Sequence, residues 1–262
     1  MCADWNPDQY RKFAAERSQP FHDLVDLIEP GSLYRAVDLG CGPGELTALA
    51  ARRLGTAVMT GIDNSQAMLA AAAAHEGDGL RFEYGDIAAW TGDGDHDLVL
   101  AAASLQWVSD HGAVLQRWTA ALTGGGQLAV QVPANAYMPS HTVADEVANS
   151  ERFLGEFGPS GPPADPVADN VLEPEQYAQL LYDLGFERQH VRLVVYPHVL
   201  ASSRAVVQWV KGTTLTRFER RLEPDVYAEF LAEYERALID VIGDRSPYFF
   251  PFRRILMWGR RS

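Results

Sequence analysis

Apolar positions along this chain change their period several times, and each change marks an element. Phe21, Leu24, Val25 and Ile28 recur at i, i+3, i+4 and i+7, one face of a helix that closes at Pro30-Gly31. Ahead of it, Asn6 can cap and Pro7 open another helix, which should stop before Pro20. Strands at 34–38, 56–62, 80–84, 97–103 and 127–133 then alternate with helices at 44–54, 65–76 and 111–122. That alternation implies crossover units and a parallel sheet. Gly124-Gly125-Gly126 reads as a tight lead-in to the fifth strand. The pattern breaks at 134, giving a helix near 142–154 and a Pro/Gly-rich loop at 158–166. Helix 174–184 and strand 190–200 resume the sheet, 203–242 is mostly helical, and 253–258 supplies the last strand. The expected fold class is α/β: one domain over 1–262, with N-terminal helices in 1–30 and helical insertions at about 134–172 and 203–250. The insertions are expected to form a lid over the carboxyl ends of the strands, where open α/β sheets bind ligands.

Composition narrows the class. With 262 residues, 47% of them apolar, the chain can bury a sizeable core. Its formal charge of −13 repels phosphate backbones, and the basic residues come only as scattered pairs, so nucleic acid is not an expected partner. An anionic small molecule would need a local basic pocket. Two cysteines, Cys2 and Cys41, imply no disulfide framework. No apolar run approaches the ~20 residues of a membrane span, so a cytoplasmic protein without a membrane partner is expected.

The chemistry begins at Asp38-Leu39-Gly40-Cys41-Gly42-Pro43-Gly44, between a strand and a helix. Such a loop brings bare backbone N–H groups and a helix N-terminus up to a ligand. Glycine at alternate positions removes β-carbons that would hold the ligand away. A carboxylate beside the loop suits a cationic amine or hydroxyls and repels a pyrophosphate. The spacing also differs from the Gly-x-Gly-x-x-Gly of dinucleotide binders. Asp63 ends the second strand, roughly 20 residues on, where an acid can accept from ribose hydroxyls. Asp86 follows the third strand through Gly85.

Three acidic strand ends at these intervals resemble the class I S-adenosylmethionine (SAM) methyltransferases. The resemblance implies a Rossmann-like, mostly parallel sheet with an antiparallel last strand, and SAM as cofactor. It places Asp86 on the adenine amino group and Ile87 against the ring. The cofactor positions it implies are Asp38, Gly40, Cys41, Gly42, Asp63, Asn64, Met68, Asp86, Ile87, Ala102 and Ala103. No metal is expected.

Further motifs carry a narrower likeness. Asp4-Trp5-Asn6-Pro7, Tyr10, Phe13, Glu16-Arg17 and Pro20, with Ala103-Ser104-Leu105-Gln106-Trp107 and Asp110-His111, resemble the trans-aconitate 2-methyltransferase family. So do Gln131-Val132-Pro133, and Phe252 followed by Arg254. Gln19 departs from it, since arginine is expected there. The likeness implies methyl esterification of one carboxylate of a small polycarboxylic acid, which is then the expected partner. A carboxylate of pKa ~4 is already ionised at neutral pH, so no general base is required. Arginines and neutral donors would hold the remaining carboxylates.

Candidate acceptor contacts are Trp5, Tyr10, Phe13, Arg17, Gln106, Trp107, Asn135, Tyr137, Trp209 and Arg254. Tyr10, Phe13 and Arg17 share one helix face, which either packs on the core or closes over the cofactor. Gln106 and Trp107 follow the fourth strand and so should face the methyl group; Gln106 suits a polar contact there and Trp107 core packing, while Trp5 suits an N-terminal anchor or a wall of the acceptor pocket. Asn135, Tyr137 and Trp209 have only their expected place above the sheet to recommend them. Arg253 and Arg254 follow Phe249-Phe250-Pro251-Phe252, and an arginine framed by aromatics can be desolvated enough to grip an anion. His111 is a cap, a surface residue, or the one evident base for a hydroxyl acceptor. Other acceptors under the same cofactor are a malonyl thioester on a carrier protein, a phenol or a carbon centre; a noncatalytic SAM-binding module is a further alternative. Oligomeric state stays open, with a monomer consistent.

Overall fold

The computed structural model describes the backbone of residues 14–31 and 33–261, and side chains from residue 18 on. The expected helix start at Asn6-Pro7 lies outside these residues. Helix α1, Ala14–Val25, runs through Pro20 instead of stopping before it. Proline deprives the helix of one N–H and crowds the preceding turn. Phe21, Leu24 and Val25 are 1%, 0% and 3% exposed, and burying that face outweighs the lost bond.

Five strands follow in crossover order: β1 Arg35–Leu39, β2 Val58–Asp63, β3 Leu80–Tyr84, β4 His96–Ala102 and β5 Leu122–Pro133. With β6 Arg188–Leu200 and β7 Tyr248–Arg260 they form a seven-stranded sheet ordered β3-β2-β1-β4-β5-β7-β6. The pairs β1–β2, β1–β4, β2–β3 and β4–β5 are parallel, and β7 lies antiparallel to β5, from Gln127↔Arg260 to Pro133↔Arg254. Central residues Ala36, Val37 and 98–101 are essentially inaccessible, because helices cover both faces of a parallel sheet.

Helix α2, Glu45–Leu54, starts after Gly44 and ends at Gly55, both in the left-handed region. Helices α3, Gln66–Ala72, and α4, His111–Ala120, begin at the side-chain caps Ser65 and Asp110. β5 starts earlier than expected. Leu122 already pairs with His96, 123–126 bulge outward, and regular pairing resumes at Gln127 opposite Leu98. The glycine triplet therefore lies inside the strand, and a Cβ on Gly126 would sit 3.0 Å from the His96 carbonyl.

Beyond β5 come α5 Pro139–Ala148, α6 Pro166–Asn170, α7 Pro174–Asp183, α8 Ala205–Lys211, α9 Thr216–Glu219 and α10 Pro224–Ile242. Helix α5 is placed earlier than the expected 142–154, because Pro139 is favoured in its first turn. Packing divides the chain into two compact units. One holds the described residues through Pro133, Asn170–Val194 and those from Arg254 on. The other holds Ala134–Asp169 and Val195–Arg253.

The second unit has its own core. Phe153, Phe157, Phe218 and Phe230 pack edge-to-face or tilted with centroids 4.8 to 6.0 Å apart, and the Tyr234 hydroxyl donates to the Ser140 carbonyl at 2.8 Å. Beside them is a buried polar chain: His141 Nδ1 meets Asp165 at 2.7 Å, and His141 Nε2 meets the Thr214 hydroxyl at 3.3 Å. Arg217 donates to Asp145 at 2.6 Å and to the Pro163 carbonyl at 2.7 Å.

Candidate cofactor and acceptor site

Asp38 sits within β1 and is 3% exposed. Its Oδ2 accepts the Thr47 hydroxyl at 2.6 Å, while Oδ1 is buried with no hydrogen-bond partner among the described residues. Burial pushes this carboxyl up to about 7; the Thr47 bond opposes the rise and the charge of Asp63 adds to it. Asp63 ends β2 and accepts the Gly42 N–H at 2.9 Å and the Ser65 N–H at 2.9 Å, which welds the glycine loop to the second strand. Burial raises its pKa as well, against the pull of the Ser65, Gly42 and Asn64 N–H groups. A carboxylate has about four acceptor positions, so Asp63 keeps capacity for hydroxyls.

The three loop glycines do different jobs. A Cβ on Gly40 would collide with Ser104, and one on Gly44 would lie 2.6 Å from Phe82 and 2.8 Å from Ala72. Both therefore serve close packing within the protein. Only at Gly42, φ +56°, would a Cβ meet nothing within 4 Å, so the open face of the loop is there. Cys41 is buried, and burial drives its thiol upward, so it acts as a small loop residue rather than a thiolate.

The remaining cofactor candidates lie in the same unit. Asn64 is exposed between Asp63 and the Ser65 cap, and Met68 is buried in α3. Asp86 is exposed and turns its own loop, with Oδ1 accepting the Ala88 N–H at 2.9 Å. Trp118 Nε1 holds the Ile87 carbonyl at 3.1 Å, which ties that loop to α4. Ala102 ends β4, and Ala103 has φ +57°, a strained value for alanine, with its N–H bonded to the Gln131 carbonyl at 2.9 Å.

Among the acceptor candidates, Gln106 is buried and its amide Nε2 donates to the Ala103 carbonyl at 2.7 Å. Trp107 is 42% exposed, outside the core. Arg254 is buried, with Nη1 donating to Gln131 Oε1 at 3.1 Å. His111 is 2% exposed: Nδ1 meets the Tyr177 hydroxyl at 2.7 Å and Nε2 meets the Leu105 carbonyl at 2.9 Å. A carbonyl can only accept, so Nε2 carries the proton and Nδ1 accepts from Tyr177. Burial lowers the His111 pKa, which keeps the ring neutral.

Asn135, Tyr137 and Trp209 belong to the second unit. Asn135 is bonded through its side chain to the Arg253 backbone, Tyr137 is 57% exposed, and Trp209 packs on His198, Phe250 and Phe252. Trp5, Tyr10 and Phe13 lie outside the described residues, as does the side chain of Arg17. Thr47 and Tyr177 organise the site although the sequence pattern does not single them out, and Ser104 and Gln131, which stand in the resemblance motifs, do so through contacts the motifs do not reveal. Each is joined to its partner over 9 to 123 residues, beyond the reach of a local pattern. Among the described residues no His/Cys/Asp/Glu group could hold a metal, and no helix is long and apolar enough to cross a membrane.

These residues fit SAM. An orphaned buried carboxylate oxygen suits its ammonium, Asp63 suits its ribose, and the glycine loop is open at Gly42. The strand order, the antiparallel β7 and the acidic strand ends define a class I SAM-dependent methyltransferase. Residues 36–126 match the model of a methyltransferase domain. A trans-aconitate 2-methyltransferase of Delftia acidovorans is 40% identical over 252 residues, covering 93% of this chain and 92% of its own length. One of Variovorax paradoxus is 42% identical, covering 89% and 88%. The chain belongs to the trans-aconitate 2-methyltransferase family. Its fold is shared with Haemonchus contortus phosphoethanolamine N-methyltransferase 2, solved with phosphomonomethylethanolamine and S-adenosylhomocysteine, at 16% identity and TM-score 0.57. That match covers 93% of this chain and about half, 52%, of the other.

Proposed function

We propose that this chain esterifies one carboxylate of trans-aconitate, or of a closely similar polycarboxylate, using the methyl group of SAM and leaving a monomethyl ester and S-adenosylhomocysteine. The observation that carries the reading is likeness along nearly the whole chain, 93% of it, to a relative named for that substrate. SAM supplies an electrophilic methyl group on a sulfonium. Asp38 Oδ1 would hold the ammonium end, Asp63 the ribose hydroxyls, and Asp86 with Ile87 the adenine. Gln106 and Arg254 are the acceptor contacts we favour in the sheet-bearing unit.

The acceptor carboxylate is ionised at neutral pH, so the protein need only orient it and exclude water. His111 accords with this. Both ring nitrogens are committed and the ring is neutral, so it is poorly placed to take a proton from a phenol or carbon acid. With two cysteines in the chain, a cytoplasmic small-molecule reaction is the natural setting.

The test incubates the protein with methyl-labelled SAM and a panel of di- and tricarboxylic acids. Label released by alkali, greatest with trans-aconitate, is expected. Label stable to alkali would redirect the assignment to another acceptor.

A further inference from the structure

Three successive carbonyls in the loop after β3 are bonded within the protein. The Asp86 carbonyl accepts the Ala89 N–H at 3.1 Å, the Ile87 carbonyl accepts Trp118 Nε1 at 3.1 Å, and the Ala88 carbonyl accepts Arg117 Nη2. At the loop's entrance the Gly85 N–H donates to the Asp63 carbonyl at 3.1 Å, so the loop is also pinned to the last residue of β2. Asp86 Oδ1 accepts the Ala88 N–H at 2.9 Å, which leaves Oδ2 of this exposed residue for a ligand. Arg117 thus holds Ala88, Ala88 holds Asp86, and Asp86 presents one carboxylate oxygen in a set direction.

The two holding residues are consecutive in the last turn of α4 and differ in kind. Trp118 is fully buried, so its ring packs the helix while its N–H reaches the loop. Arg117 is half-buried, its Nε is buried without an acceptor, and it pairs with no carboxylate among the described residues. The helix dipole favours a cation near this terminus, but it does not favour drawing a guanidinium out of water onto a neutral carbonyl. Exchanging a poorly compensated charge of this kind for an apolar side chain of similar length is often neutral or stabilising. What the contact does achieve is to fix Ala88, and through it the Asp86 side chain.

We propose that Arg117 is a positioning residue for recognition of the cofactor's base: by holding Ala88 it aims the Asp86 carboxylate at the exocyclic amine of adenine. This rests on the reading above, in which Asp86 and Ile87 receive the adenine. An exocyclic amine donates to a carboxylate, whereas an oxo group in the same place can only accept and is repelled. A carboxylate fixed in one direction tells the two bases apart. One free to swing exchanges the contact for water and loses the distinction.

The experiment uses the full chain and compares the wild type with Arg117→Met, Arg117→Lys, Asp86→Ala and the Arg117→Met, Asp86→Ala double variant. Calorimetry measures affinity for S-adenosylhomocysteine and for S-inosylhomocysteine, which carries an oxo group in place of the amine, and melting temperature is recorded without ligand. The wild type should prefer the adenosyl compound about 10- to 100-fold. Arg117→Met should keep or raise its melting temperature and yet bind S-adenosylhomocysteine about 5- to 20-fold more weakly, with S-inosylhomocysteine changed by less than about twofold. Arg117→Lys should recover most of the preference, because a single N–H suffices for a carbonyl. Once Asp86 is alanine, Arg117→Met should alter the preference no further. A preference that survives Arg117→Met but is lost in Asp86→Ala would overturn the proposal alone, as would equal weakening of both compounds in Arg117→Met. If the wild type shows no preference, or Asp86→Ala keeps it, the adenine reading falls and the proposal with it.

Discussion

Asp38 shows how one buried carboxyl can link fold stability to ligand affinity. Its folded pKa of about 7 lies above the 3.8 of an ordinary aspartate, so between these limits the unfolded chain releases a proton that the folded protein keeps. Stability of the unliganded protein therefore falls as pH rises from about 4 to 7, by up to about 4 kcal/mol, and is fully present only below that window. A cationic ligand favours the ionised form, so its affinity should run the other way. Calorimetry with S-adenosylhomocysteine should find binding about tenfold weaker at pH 6 than at pH 8, and Asp38→Asn should flatten that slope. Glycines in the same loop separate packing from binding. Gly42→Ala incurs backbone strain of about 1–2 kcal/mol and obstructs the open face, so ligand affinity should drop more than melting temperature. Gly40→Ala adds a collision with Ser104, and its melting temperature should fall further than that of Gly42→Ala.

Elements built from neighbouring residues were the most legible. The aspartates Asp38, Asp63 and Asp86 stand at strand ends in the structure because strand, loop and helix are contiguous in the chain. What escaped depended on distant partners. Pro20 looked like a stop until Phe21, Leu24 and Val25 were seen buried together, and the glycine triplet looked like a lead-in because the pairing of Leu122 with His96 is invisible locally. Asn135 and Trp209 have only their expected place above the sheet to recommend them as ligand positions, and what they touch is set by distant partners. One braces a backbone 118 residues away, and the other packs in an aromatic cluster. The link between α4 and α7 is of the same kind. Tyr177→Phe removes the donor to His111 Nδ1 and should cost about 1–2 kcal/mol in denaturant unfolding. The pH profile of acceptor turnover should stay unchanged, and a new pH limb would indicate that His111 exchanges protons with the acceptor.

Across the whole molecule, the helical unit depends on the buried chain from His141 to Asp165 and Thr214. Desolvation raises the Asp165 pKa, but the hydrogen bond and charge of His141, the charge of Arg217 and the Val167 N–H together hold it below the usual value. A depressed carboxyl stabilises above its unfolded pKa and loses that effect as pH falls through the folded one, so this unit should loosen in acid below about pH 4. Asp165→Ala leaves His141 and Arg217 with less compensation and should cost about 3–5 kcal/mol. Hydrogen exchange would register it as a joint loss of protection over 139–148, 163–167 and 210–217. The sheet order has its own consequence for the nascent polypeptide. β7 lies between β5 and β6, although β6 is synthesised first, so β6 has no lateral neighbour in the sheet while 201–247 are being made. An intermediate stalled in that interval carries the raw edge of β5 together with both edges of β6, and chaperone capture should be strongest there.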